Sequence, residues 1–438
     1  MEAQAVNPEN IIEKWIWYAL ILTYPFYMLG AVYLVAPVLA WLLIMYWVYN
    51  FWLPQSMRAK SIQVEPHPVV MLWVVGMLVM EVALLIGHLD FYLGIPAIIK
   101  SSIGWAKGWA LLALFIMIGA TLPIRAELIY RACCVICLHT LLLIPLFVVA
   151  AYTPIPGTIY ISPLKIIGGP GPEFFEFQLY GINPESLGPR WRFFTPWAPA
   201  AGLLANFYFV FALKEQNVRW RWIGILGSIA MVLMCQSRAG LVAMLFVSPA
   251  VYFISKLNSP ALWISGGVGV STMAVVATQL MNFAESSVEE FKSARAGSSR
   301  VRAALARIAI QRWRDEAPIW GHGVVERGPH LVEYMPIGSH HSWYGLLFVK
   351  GIVGFLALLI PMAVTLMLLL VQAQNCRTAQ AALSCVLILI MFSFGENIEM
   401  LAYLFWPALV LIGIAFRNDT LSKAIIEKQQ RRNGVGRI

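Results

Sequence analysis

The sequence predicts an all-α, polytopic integral membrane protein of about twelve transmembrane helices, and three observations carry that prediction. Of its 438 residues, 60% are hydrophobic and only 12% are charged. The mean hydropathy of +0.73 lies well outside the balance of a soluble domain. Apolar runs of roughly 20 residues, enough to cross about 30 Å of hydrocarbon, recur from near the N-terminus to about Phe416. Most connections between them are short, and their Lys and Arg residues gather on alternate connections.

The expected spans are 13–30, 31–53, 68–89, 103–124, 131–152, 197–213, 222–236, 239–256, 260–282, 343–371, 378–395 and 400–416. The first two, and the seventh and eighth, are joined by very tight turns. Met1 to Lys14 mixes Glu2, Glu9, Glu13 and Lys14 and has no basic stretch ahead of a short apolar one, so the first helix is expected to stay in place. Cys133, Cys134 and Cys137 open the fifth run, while Cys235, Cys376 and Cys385 lie at or inside others. Cys134 and Cys137 form a C-x-x-C, but a redox or zinc role needs a polar, accessible setting. Apolar packing is the expectation for all six.

An even number of spans puts both termini on one side. Arg417, Lys423, Lys428, Arg431, Arg432 and Arg437 mark that side as cytoplasmic by the positive-inside rule. Arg58 and Lys60, Arg125 and Arg131, Lys214, Arg219 and Arg221, Lys256, and Arg377 fall in inside connections on the same reading. The chain then divides into 1–282, spans one to nine with an outer loop at 153–196; 283–342, a long outer loop; 343–416, the last three spans; and 417–438, a cytoplasmic tail.

The two outer loops break the charge pattern. Residues 153–196 carry Lys165, Arg190 and Arg192, and residues 283–342 carry Lys292, Arg295, Arg300, Arg302, Arg307, Arg312, Arg314 and Arg327. Long segments cross membranes despite their charge, so the topology stands. Glu285, Glu289, Glu290, Asp315, Glu316, Glu326 and Glu333 nearly balance the second loop, and local pairing is one reading of it. Yet Arg295 to Arg314 contains no acidic residue. Arg300, Arg307 and Arg314 recur every seven residues and share a helix face, with Val301, Leu305 and Ile308 as an apolar stripe. Such a helix can lie in the membrane interface near lipid phosphates, or line an anion site, because guanidinium groups give planar, bidentate contacts to phosphate oxygens. The first loop contains Gly168-Gly169-Pro170-Gly171-Pro172 and is expected to be a largely irregular binding loop or lid.

Three local patterns follow one another late in the chain: Gln236-Ser237-Arg238-Ala239-Gly240; Ser299-Arg300 with Pro318 and Gly321-His322-Gly323; and His341-Ser342-Trp343-Tyr344 with Gly351-Ile352-Val353-Gly354. In their order and placement they resemble the family of O-antigen ligases, related polymerases and protein O-oligosaccharyltransferases, over about 237–355. The chain departs from the family at Lys350, where members often carry an acidic residue.

The resemblance implies a C-type glycosyltransferase-like enzyme of the bacterial inner membrane with a periplasmic active site. The donor would be O-antigen on undecaprenyl diphosphate, and the acceptor a sugar hydroxyl on the lipid A core. It implies His341 as general base, since an imidazole takes a proton near neutral pH, and Arg238 and Arg300 as partners of the departing diphosphate. Arg190 and Arg192 are further candidates with less motif support. The implied reaction is a single displacement at the anomeric carbon.

No H-E-x-x-H, P-loop, G-x-S-x-G elbow or Asp-x-Asp element occurs in an outer loop, so neither a metal nor another cofactor is expected. Membrane lipids are expected partners and nucleic acid is not. Polymerases and pilin-glycosylating ligases share the same signals. A lipid-glycan flippase would instead need ionisable groups at membrane depth, where Glu81, Lys107, His139 and Lys350 stand on separate spans.

Overall fold

The computed structural model describes residues 6–53, 65–183, 186–257, 259 and 296–434. The expected span 260–282, the acidic start of the second long loop and the expected inside residues Arg58 and Lys60 lie outside them. The chain is mostly helical. Its elements begin with α1 (Ile11–Ile21), α2 (Thr23–Met28), α3 (Val32–Trp52), α4 (Pro68–Asp90), α5 (Ile95–Lys107), α6 (Trp109–Thr121) and α7 (Ala126–Ala151). After a loop with short strands come α8 (Ala198–Lys214), α9 (Val218–Met234), α10 (Arg238–Ile254), α11 (Ala296–Glu316), α12 (Ser342–Gln372), α13 (Arg377–Ser393) and α14 (Ile398–Gly434).

Among the described residues six segments are long and apolar enough to cross a membrane: Val32–Trp52, Pro68–Asp90, Ile95–Thr121, Ala126–Ala151, Ser342–Gln372 and Ile398–Asn418. Three apolar helices, Ala198–Lys214, Arg238–Ile254 and Arg377–Ser393, are shorter. Helix is the form such segments take because each backbone N–H and C=O must find its partner within the segment. The expected span 103–124 is longer than read from the sequence, since helix begins at Ile95 and is interrupted at Gly108. Residues Leu401 to Phe416 of α14 are buried almost without exception, so this helix forms the axis of the bundle.

Charged residues from several expected inside connections are tied to one another. Buried Glu13 on α1 pairs with Arg125 at 2.7 Å, and Arg131 pairs with Glu215 at 2.8 Å. Lys214 donates to Gln380 at 2.9 Å. These bonds join the α6–α7 turn to α1 and the α8–α9 turn to α7 and α13. All six cysteines are free, and Cys133, Cys134 and Cys137 are buried.

α12 is a broken helix. Gly351 has φ 61° and ψ −163°, a conformation open essentially only to glycine. A break strands backbone groups that would otherwise bond one turn away. Here the segment following α11 supplies the partners: His322 N and Gly323 N donate to Phe348 O and Val349 O, each at 2.9 Å. Ile352 N and Val353 N donate to Pro318 O and Ile319 O at 3.0 and 3.3 Å. A Cβ on Gly351 would collide with Ile319 O, and one on Gly321 with the backbone at Lys350. The glycines of the second and third motifs thus form the joint by which the segment after α11 grips α12. Gly351→Ala is expected to cost more than about 2 kcal/mol from backbone strain alone. It should lower the yield and melting temperature of purified protein; wild-type melting would remove this account of the joint.

The ionisable residues expected on separate spans do not all stay apart. Lys350, next to the break, lies within electrostatic reach of Glu399 on α14 and Glu81 on α4, and the Trp109 side chain hydrogen-bonds Glu399. Groups of opposite charge therefore act on one another where α12 is interrupted. Lys107 instead reaches up to Gly168 O of the first loop at 3.1 Å.

Candidate active site

Five segments meet on the surface opposite those ion pairs. The first is the 153–196 loop, which is more ordered than its Gly/Pro content predicted. β1 (Thr158–Ile161) pairs antiparallel with β2 (Glu176–Gln178), and β3 (Gly181–Ile182) with β4 (Pro189–Arg190). Phe174, Phe175, Phe193 and Phe194 are buried and anchor the loop in the bundle, an aromatic contribution that turn-forming residues obscure in sequence.

Arg190 ends β4 and Arg192 lies beyond it, and the two serve different partners. Arg190 Nε donates to Cys235 O at 2.8 Å. Gln236, with φ 51°, accepts from Asn183 Nδ2 through Oε1 at 2.8 Å and donates to Pro189 O at 3.3 Å. The β3–β4 hairpin therefore clamps the α9–α10 turn, from which half-buried Arg238 begins α10. Ser237 caps that helix by accepting from Gly240 N at 3.1 Å. Arg192 is committed elsewhere: Nη2 pairs with Glu176 at 2.6 Å and Nη1 donates to Pro196 O at 2.6 Å. It braces the loop.

α11 forms as its apolar stripe predicts, but protein covers that stripe. Ala304 and Leu305 pack on Val332, and Ala309 packs with Ile337 and Phe348. The helix lies on the start of α12 rather than presenting this face to lipid. Arg312 pairs with Glu316 at 2.7 Å and with Glu326, and its hydrogen bonds hold the Glu316 carboxyl down at about 2. The His322 ring nitrogens face two acceptors, Glu316 Oε2 at 2.8 Å from Nε2 and Phe348 O at 2.9 Å from Nδ1, and the ring stacks on Phe348 at 4.2 Å. His322 is a pin for the joint. Arg300, Arg302, Arg307 and Arg314 are exposed, and the Arg302 charge is the one acting on Glu396 and His340.

His341 sits at the N-cap of α12, where its Nδ1 accepts from Tyr344 N at 3.3 Å. Its ring stacks on Tyr344 at 3.7 Å and meets the edge of Phe394 at 5.7 Å. The imidazole is thus held in orientation, with no hydrogen bond to Nε2 among the described residues. Burial pushes it down to about 4, so at neutral pH the ring is uncharged. His340, with φ 62°, is pushed to about 4 by burial and then by Arg302.

Glu396, in the turn between α13 and α14, completes the cluster. It is 5% exposed; Trp197 Nε1 donates to its Oε2 at 2.8 Å. Its backbone carbonyl accepts from Ser342 Oγ at 2.7 Å, which in turn accepts from Ile398 N at 3.0 Å. The residue after His341 is therefore bonded directly to Glu396. Burial raises the Glu396 carboxyl to about 7, against the pull of Trp197, Arg302 and Arg190.

Of the residues singled out in sequence, Arg190 acts on Glu396, His341 precedes the Ser342 that bonds the Glu396 backbone, and Arg238 leaves the turn that Arg190 holds. Arg192 is tied to Glu176, and Arg300 stands exposed on α11. Glu396, Arg302 and Trp197 were not foreseen. The available signal for Glu396 was the pair of acids, Glu396 and Glu399, in the short connection between the last two apolar runs.

Residues 223–359 match a family model, a stretch that takes in most of α9, then α10, α11, the joint and the N-terminal half of α12. The matched family is that of the O-antigen ligases. No curated protein matches the chain. The O-antigen ligase family takes in ligases and polymerases, glycosyltransferase-like enzymes acting on polyprenyl-linked glycans. The match covers the Arg238, Arg300 and His341 motifs but neither Arg190 nor Glu396.

Proposed function

We propose that this protein is an O-antigen ligase: it transfers O-antigen from undecaprenyl diphosphate to a sugar hydroxyl of lipid A core at the periplasmic face of the bacterial inner membrane. The observation that carries this reading is an oriented, neutral imidazole at His341, whose neighbour Ser342 bonds the backbone of buried Glu396, with the Arg190 and Arg302 charges acting on that carboxyl, within or against the ligase-family segment. About twelve spans with both termini cytoplasmic, as the charge pattern predicts, support a periplasmic position for that cluster. Lipid substrates then reach it from the bilayer.

In the displacement, a lone pair of the acceptor oxygen forms a bond to the anomeric carbon as the bond to the diphosphate oxygen breaks, and the departing oxygen keeps the bonding pair. His341 touches the reacting atoms. Arg238 and Arg300, with Arg190, meet the diphosphate, whose growing negative charge favours preorganised guanidinium donors. That charge does the work a divalent cation does in other phosphate-leaving reactions, and the transfer is metal-independent on this reading. EDTA is therefore expected to leave turnover unchanged; loss in chelator restored by magnesium or manganese would refute that part.

The deciding experiment offers purified protein in vesicles one labelled polyprenyl-diphosphate glycan and three acceptors separately: lipid A core, a second lipid-linked glycan, and a pilin. Transfer to lipid A core is expected. Transfer only to the second glycan would make the protein a polymerase, and transfer only to pilin a protein glycosylating enzyme.

A further inference from the structure

The glycosyl-transfer reading leaves open where the acceptor's proton goes, and this inference rests on that reading. We propose that Glu396 accepts the proton of the acceptor hydroxyl, and that His341 acts as a neutral hydrogen-bond donor through Nε2.

The geometry at His341 is the first ground. A neutral imidazole has one N–H and one lone pair, and the lone pair of Nδ1 is engaged by the Tyr344 N–H in the cap of α12. The proton is therefore on Nε2. In that tautomer the ring can donate there and cannot accept. Acting as base would require His341 to release its cap and take up charge in surroundings that already oppose charge on it.

The second ground is the carboxylate. Glu396 has one oxygen, Oε2, fixed by Trp197, while Oε1 makes no hydrogen bond among the described residues. The charged groups acting on it come from two other elements: Arg190 at the end of β4 and Arg302 on α11. On the side of α12, Ser342 ties its backbone to the residue following His341. A buried carboxylate raised to about 7 is half-ionised at neutral pH, where a general base is most effective. His340 and His341, both at about 4, are much weaker bases.

The step balances within the groups named. The hydroxyl oxygen bonds to the anomeric carbon, its proton passes to Glu396 Oε1, and the electron pair of the broken bond stays on the diphosphate. His341 Nε2–H and the guanidinium groups donate to the oxygens that gain charge. Glu396 then returns the proton to solvent as product leaves.

The test uses full-length protein in vesicles with the polyprenyl-diphosphate glycan and lipid A core, comparing wild type, Glu396→Gln and Glu396→Asp between pH 5.5 and 9. Glutamine keeps the size of the side chain and an oxygen for Trp197 but cannot take the proton. Wild-type kcat should rise with pH through about 7, as the carboxyl ionises. Glu396→Gln should lose at least about 100-fold in kcat, with the donor KM little changed and the limb near neutrality gone. Glu396→Asp should keep a measurable rate with a displaced limb, and it preserves the test if Glu396→Gln folds poorly. Near-normal kcat in Glu396→Gln, or an unmoved limb in either variant, would overturn the assignment and return the base role to His341. Absence of wild-type transfer to any acceptor would instead overturn the ligase reading and this inference with it.

Discussion

Replacing His341 with alanine is expected to reduce transfer by at least about 100-fold, the range seen when a positioned acid–base or hydrogen-bonding group is lost from a reacting centre. Two effects must be kept apart in that variant. The His341 side chain caps α12 through Tyr344 N, and losing an N-cap costs about 1 kcal/mol, so alanine also loosens the outer end of that helix. His341→Asn separates them, because asparagine is a strong N-cap but lacks the imidazole. Asparagine should restore the melting temperature and leave transfer lost. His340→Ala should be milder, since its ring neither caps α12 nor stacks on Tyr344. Turnover and thermal melting of the three purified variants provide the check. Full activity in His341→Ala, or an equal loss in His340→Ala, would remove His341 from the reacting centre.

The contrast between those two histidines was partly legible in sequence. Adjacent histidines before Ser-Trp-Tyr give a register, and the helix that starts at Ser342 fixes which of them is the cap. The apolar runs were equally legible, because hydrocarbon thickness imposes a length on each, and α11 announced itself through the spacing of Arg300, Arg307 and Arg314 against Val301, Leu305 and Ile308. What lay on the far side of that helix was not. An amphipathic stripe has the same pattern whether lipid or protein covers it, and only the placement of Val332, Ile337 and Phe348 decides that protein does.

Long-range pairing was the other hidden layer. Glu396 is separated by about two hundred residues from Trp197, its hydrogen-bond partner, and no local pattern links them. The meeting of Glu81, Lys350 and Glu399 depends likewise on three helices whose order around the bundle is not written in any one of them. The second and third motifs were recognised as signatures, but their glycines proved to act on each other: the Gly321-His322-Gly323 backbone mends the break that Gly351 makes. A motif read along the chain conceals this reciprocity, because each half looks like an independent turn.

Lysine is expected to replace Arg238 poorly, with at least about a tenfold loss of transfer, because a point ammonium keeps the charge but not the planar fork that grips two phosphate oxygens. Arg238 is placed for such a contact by the turn that Arg190 and Gln236 hold. Arg300→Lys should behave in the same way if the diphosphate also reaches α11. Where the arginines act on the leaving group, kcat should fall more than donor affinity, since only contacts that strengthen in the transition state accelerate the chemical step. Two contacts to one diphosphate should also couple, so the double variant should lose less than the sum of the single free-energy losses. Arg302→Lys is the comparison that α11 itself supplies, because the Arg302 charge acts on Glu396. Removing that charge altogether, in Arg302→Ala, should raise the Glu396 carboxyl further and move the rising limb of the pH profile upward, with rate regained at higher pH. Lysine retains the charge and should leave the limb in place. Purified variants with measured donor affinity and single-turnover rates distinguish the cases. Normal kinetics in Arg238→Lys and Arg300→Lys together with a collapse in Arg302→Lys would move the diphosphate to the face of α11 that looks toward Glu396.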